Sequence, residues 1–168
     1  MKRLFISLLL FAALSFCANA QQIIGTFEPL VDAGRAKLII DFDKADMMGM
    51  TEKEFYTYEE DWGKDKIEVV NLIYTYANKV LKGKCTLGNY QIDTKFILYL
   101  QILSIDMHGN FDSDLVLTYT EDGATQELGH AIGLHAKGGK FGTKLNLIKD
   151  GAQSTGEAIG RLIMSQID

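Results

Sequence analysis

Proline occurs once in this chain, at Pro29, and cysteine twice, at Cys17 and Cys85. One proline excludes a proline-rich spacer, and no low-complexity tract or internal repeat stands in its place. Two cysteines exclude the disulfide framework that holds many small secreted domains together. Positive charge is also short. Lysine and arginine number 17 against 22 aspartates and glutamates, for a net charge of −5. An acidic chain repels nucleic acid and anionic lipid headgroups, so neither is an expected partner. Only one apolar run is long, and it lies at the N-terminus. Nothing after it is apolar enough to cross a membrane as a helix.

That N-terminal run is the most informative stretch of the sequence. Lys2 and Arg3 give a basic start, Leu4 to Phe16 is almost unbroken apolar, and Ala18-Asn19-Ala20 is a small-residue cleavage site. Together they form the three-part pattern of a secretory signal peptide over residues 1–20. The expectation is cleavage after Ala20 and export to the periplasm or cell surface. Cleavage leaves 15 basic and 22 acidic residues, a net charge of −7. It also removes Cys17 and strands Cys85, which is expected as a small buried hydrophobe rather than a reactive thiol. A second reading exists. Leu14-Ser15-Phe16-Cys17 resembles a bacterial lipobox, which would anchor the protein through a lipid on Cys17. That pattern has a small residue before its cysteine, and Phe16 is large, so cleavage after Ala20 is favoured.

Residues 21–34 are expected as a linker and residues 35–168 as a single domain. Arg35 to Asp43 alternates apolar and polar residues and reads as a strand. Thr51 and Glu54 match a capping box for a short helix. Asp65 to Leu81 carries Ile67, Val70, Tyr74, Ala77 and Leu81 at helical spacing, with Lys82-Gly83-Lys84 as a stop. Lys95 to Ile105 is apolar on both faces, which predicts a central strand covered on both sides. Asp114 to Thr120 and Thr125 to Ala136 flank Asp122-Gly123, a strong hairpin signal. In the second of these strands Leu128, His130, Ile132, Leu134 and Ala136 are expected on one face. Glu127, Gly129, Ala131, Gly133 and His135 are expected on the other. Leu145 to Ile167 reads as a second main helix, with Ala152, Gly156 and Gly160 spaced for close packing. The order β-α-β-β-β-α predicts an α+β fold. Its mixed four-stranded sheet packs with two main helices, and a β-hairpin spans about 114–136.

Several short patterns touch on chemistry. Gln126 to His135 resembles the metzincin zinc-protease helix, H-E-x-x-H-x-x-G-x-x-H. Glu127, His130 and Gly133 match it, but Gln126 and Ala136 stand where two zinc ligands belong, and His135 is one place early. Ligands on one helix face lie three or four residues apart, and His130 and His135 are five apart. The expected arrangement is therefore a strand with His130 half-buried and His135 outward. Glu127, His130 and His135 remain the alternative metal set, and no cofactor is called for. Asp41-Phe42-Asp43 is similar to the nucleophile strand of haloacid-dehalogenase-type phosphotransferases. The alternation of strands and helices that such a fold needs does not follow it. Trp62, Tyr56 and Tyr58 form either a sugar-stacking patch or core cover, and burial is the commoner use of such rings. The glycine-rich segment from Lys137 to Lys144 precedes a helix. Gly138, Gly139, Lys140, Gly142 and Lys144 form a candidate site for an anion or acidic partner. The same segment also reads as a packing turn with Phe141 plugging the core.

The strand Lys37 to Asp43, the stretch Glu59-Glu60-Asp61-Trp62 and the tail from Gly138 through Asp150-Gly151 to Gly160 resemble a group of small exported proteins of Bacteroidetes with no assigned activity. The element order also looks like small periplasmic α/β domains of TolB N-terminal regions and the curli-secretion lipoprotein. The resemblance implies an envelope protein. Its expected role is that of a non-enzymatic binding or interaction domain with an envelope protein or glycan as partner. The alternative is a hydrolase, either a degenerate metzincin-like protease or a glycan-active enzyme.

Overall fold

The structure, a computed structural model, describes residues 21–89 and 91–167. Residues 1–20, where a signal peptide is expected, lie outside the described residues, and Cys17 with them. The fold is mixed α+β, with eight strands in one sheet. The strands are β1 (Gln22–Gly25), β2 (Arg35–Asp41), β3 (Asp46–Met47), β4 (Met50–Thr51), β5 (Thr86–Gly88), β6 (Phe96–Ile105), β7 (Phe111–Glu121) and β8 (Ala124–Ala136). The helices are α1 (Pro29–Ala33), α2 (Glu52–Tyr58), α3 (Trp62–Leu81) and α4 (Lys144–Met164).

The main sheet order is β1-β8-β7-β6-β2-β5, and the β3–β4 pair hangs from the end of β6. β2 runs parallel to β5 and β6, whereas β6, β7, β8 and β1 are antiparallel in turn. The four strands expected from periodicity are the four longest. The others have two to four residues, too few to show a period. Residues 21–34 do not act as a linker. β1 pairs with Gly129–Ile132 of β8, and Phe27 and Leu30 are fully buried.

Local chemistry accounts for the helix ends. Thr51 caps α2: its Oγ1 accepts from Glu54 N at 3.3 Å, and Glu54 Oε2 accepts from Thr51 N at 2.9 Å. α3 begins three residues earlier than its periodicity indicated, because Trp62 packs edge-on to Phe42 and Phe55 and is itself core. Its buried line is Trp62, Val69, Ile73, Ala77 and Leu81, and Ile67 stands 63 % exposed. The helix carries two overlapping apolar stripes, and the packed one is offset from the expected one. α4 meets α3 through its small residues. A Cβ on Gly156 would strike the Ile73 carbonyl, and one on Gly160 would strike Val80. Asn78 of α3 fastens the short edge strand β5, since its amide donates to Leu87 O and accepts from Leu87 N, both at 2.8 Å.

The core lies between the sheet and the α3–α4 pair. Leu98, Leu100, Ile102, Leu115 and Leu117 fill it from the strands, and Ile73, Ala77, Ile148, Ile159 and Ile163 from the helices. β6 is not covered on both sides as expected. Tyr99 and Leu103, on its other face, are 36 and 40 % exposed. Among the described residues, one face of the sheet carries a helical layer and the other carries none.

Two bulges in β8 revise the expected faces. Glu127 and Gly129 pair with Thr118 and Leu117, leaving Leu128 extra. Ala131 and Leu134 pair with Leu115 and Ser113, so Ile132 and Gly133 together face Asp114. Gly133 takes φ +71° there and donates its N–H to Asp114 Oδ1 at 2.8 Å. The second bulge turns Leu134 and Ala136 inward and leaves His135 on the same outer face as His130.

Candidate functional site

The uncovered sheet face holds most of the side chains with chemical interest. The pairing registers align Ile39, Tyr99, Val116, His130 and Ile24 in one row across β2, β6, β7, β8 and β1. Ile24 is 50 % exposed, and Ile39, Val116 and His130 are half-buried. Such a row is unusual on the solvent side of an antiparallel ladder, where polar residues normally alternate out.

Carboxylates flank this row. Asp41 accepts from the Tyr99 hydroxyl at 2.6 Å and from Asp43 N at 2.8 Å. Those bonds hold its carboxyl below the ordinary range, with the Tyr99 bond the larger cause. The same carboxylate pushes the Tyr99 phenol up. One pair beyond the Ser113–Leu134 end of the Asp114 bulge, Asp112 Oδ1 meets His135 Nδ1 at 2.8 Å, and Ser104 Oγ donates to Asp112 Oδ2 at 3.2 Å. This serine, aspartate and histidine do not form a hydrolytic triad. The nucleophile's hydroxyl must bond to the imidazole, and Ser104 bonds to the carboxylate instead.

The metzincin alternative has no structural counterpart. Residues 126–135 lie in strand β8, not a helix. Glu127 approaches His130 Nδ1 only to 3.7 Å, and His135 is engaged with Asp112. Among the described residues no three histidine, cysteine or acidic side chains converge as metal ligands. His130 Nε2 is buried without a hydrogen-bond partner among them.

The glycine-rich segment is bent but largely occupied by internal partners. Gly138 N donates to Asn110 Oδ1 at 2.9 Å. A Cβ on Gly139 would meet the Asp150 carboxylate. Lys144 pairs with Glu59 at 2.6 Å, with its ammonium 4.4 Å above the Tyr58 ring. Lys140 and Gly142 stay exposed, and Thr143 caps α4 by accepting from Asn146 N at 3.4 Å. Phe141 is not a core plug, being 90 % exposed, because the glycines on either side carry the loop outward.

Trp62 is buried rather than part of a sugar-stacking patch, and its Nε1 donates to Glu52 Oε1 at 3.1 Å. Cys85 is buried, and desolvation pushes its thiol up to about 11, so it is a poor nucleophile. No protein-family model, curated protein or solved structure matches the chain.

The open face escaped the sequence reading for a specific reason. The apolar positions of β6 were visible, but double-sided apolarity is the signature of a strand buried on both sides. What covers the second side is not encoded locally.

Proposed function

We propose that this protein is an exported cell-envelope component that works as a non-enzymatic binding domain, with the open sheet face as its contact surface. The observation that carries the reading is the row Ile39, Tyr99, Val116, His130 and Ile24, three aliphatic side chains and two rings laid across five strands on the open face. Exposed contiguous apolar surface on a folded domain marks an interaction site. Export draws its support from the sequence of residues 1–20, and the envelope assignment from the resemblance to small exported proteins of Bacteroidetes.

Photo-crosslinking in intact cells tests the surface. A photoreactive residue in place of Val116 is expected to give a discrete adduct. The same residue in place of Ile67, exposed on α3, is expected to give none. Equal labelling from both positions, or none from Val116, rejects the assignment. The mass of the purified protein tests export: a chain beginning at Gln21 supports cleavage after Ala20, and a diacylated chain beginning at Cys17 replaces it with a lipid anchor.

A further inference from the structure

The five salt bridges to lysine or arginine among the described residues, those of Glu52, Glu59, Glu68, Glu121 and Glu157, lie on the helical side and beside the β7–β8 turn. On the open face, Asp41, Asp112, Asp114 and Glu127 form no salt bridge with lysine or arginine among the described residues, and Asp41 feels Lys66 and Lys44 only as minor longer-range charges. Their hydrogen bonds come from Tyr99, Ser104, His135 and backbone N–H groups, which orient them. Asp41, Asp112 and Asp114 lie along one flank of the apolar row, near the start of β7 and the end of β2.

A row with three aspartates along one flank has a complement in a segment that carries cations on that side. We propose that this face docks a basic amphipathic segment of a partner protein, with apolar side chains on the Ile39–Ile24 row and lysines or arginines against Asp41, Asp112 and Asp114. The inference rests on the binding-domain reading above and names the partner's chemistry. Five strands at about 4.8 Å spacing make the row about 19 Å long, which about thirteen helical residues match. A second copy of this chain is a poor occupant, because it would bring its own carboxylates to the same flank. Complementary charge also gives the encounter a salt dependence, since exposed charges are screened within about 8 Å at physiological ionic strength.

The experiment uses the purified protein and two synthetic amphipathic peptides of about fourteen residues, sized to the row. One is built of leucine and lysine, the other of leucine and glutamate. Amide resonances of Ile24, Tyr99, Val116 and His130 are expected to shift with the lysine peptide and not with the glutamate peptide. The double variant Asp41→Asn, Asp114→Asn removes both charges and keeps one acceptor oxygen at each position, which preserves the Gly133 bond to position 114 and one of the two bonds at position 41. It is expected to weaken binding roughly fivefold, from two exposed pairs of modest strength each. Ile24→Thr with Val116→Thr is expected to abolish the shifts, and Ile67→Thr to leave them unchanged.

Equal binding of the two peptides, or an unweakened Asn double variant, overturns the basic chemistry while leaving the surface in place. Shifts confined to other elements, or absent with both peptides, overturn the surface as well. Self-association of the free protein that the two threonine changes abolish in sedimentation overturns the proposal in favour of a second copy.

Discussion

The phenol of Tyr99 on β6 donates to Oδ2 of Asp41 on β2 at 2.6 Å, linking two neighbouring strands side chain to side chain on the open face. Tyr99→Phe is expected to raise the Asp41 carboxyl toward its ordinary value of 3.8. Both groups are at the surface, so stability is expected to stay within about 0.5 kcal/mol. Carboxyl-detected NMR titration checks the first point. An unmoved Asp41 titration would mean that the bond does not persist in solution.

Asp106 shapes the β6–β7 turn. Its carboxylate accepts from His108 N at 2.8 Å, Asn110 N at 2.9 Å and Asn110 Nδ2 at 2.7 Å. Burial alone would push its carboxyl up, but the bonds from Asn110 and His108 together outweigh it and hold the group below 3.8. A depressed folded-state carboxyl contributes stability above its unfolded value, and the contribution fades as pH falls through the lower folded value. Denaturant melts from neutral pH to below 3.8 are expected to lose less stability in Asp106→Ala than in the parent. Parallel acid limbs would remove Asp106 from the account.

Asn78→Ala leaves the buried N–H and C=O of Leu87 without their partners. Two such losses are expected to cost about 2–3 kcal/mol. Hydrogen exchange at Leu87 is expected to accelerate more than exchange in β7. Uniform acceleration would show that β5 is held by the sheet alone.

Phe141→Ser and Gly156→Val are expected to behave oppositely. The first removes an exposed ring and shifts stability by no more than about 0.5 kcal/mol. The second drives a side chain into the backbone of α3 and is expected to cost about 1–3 kcal/mol or more. Thermal melts compare them directly, and a large loss in Phe141→Ser would place that ring in a packed contact.

The sequence made some elements legible and hid others for identifiable reasons. The Asp122-Gly123 hairpin, the Thr51–Glu54 cap and the small residues of α4 are local signals, and each has the structural role it indicated. Strands β1, β3, β4 and β5 have too few residues to show alternation, and they exist because long neighbours template them. α3 illustrates a different limit. Ile67-Val70-Tyr74 and Val69-Ile73-Ala77 are both good stripes, and only the position of α4 selects between them. The outer face of β6 is readable as apolar, but its exposure follows from there being no second helical layer among the described residues, which no local pattern states.

The extra residue at Ile132–Gly133 has a consequence for how this chain can change length. Downstream of it, Leu134 and Ala136 face inward because the bulge absorbs that residue. Deleting Gly133 would remove the extra residue and leave the faces as they are, with Ala131, Leu134 and Ala136 inward and Ile132 and His135 outward. What would go is the hydrogen bond from Gly133 N to Asp114. The bulge is thus a place where β8 can shed a residue without turning a side chain over.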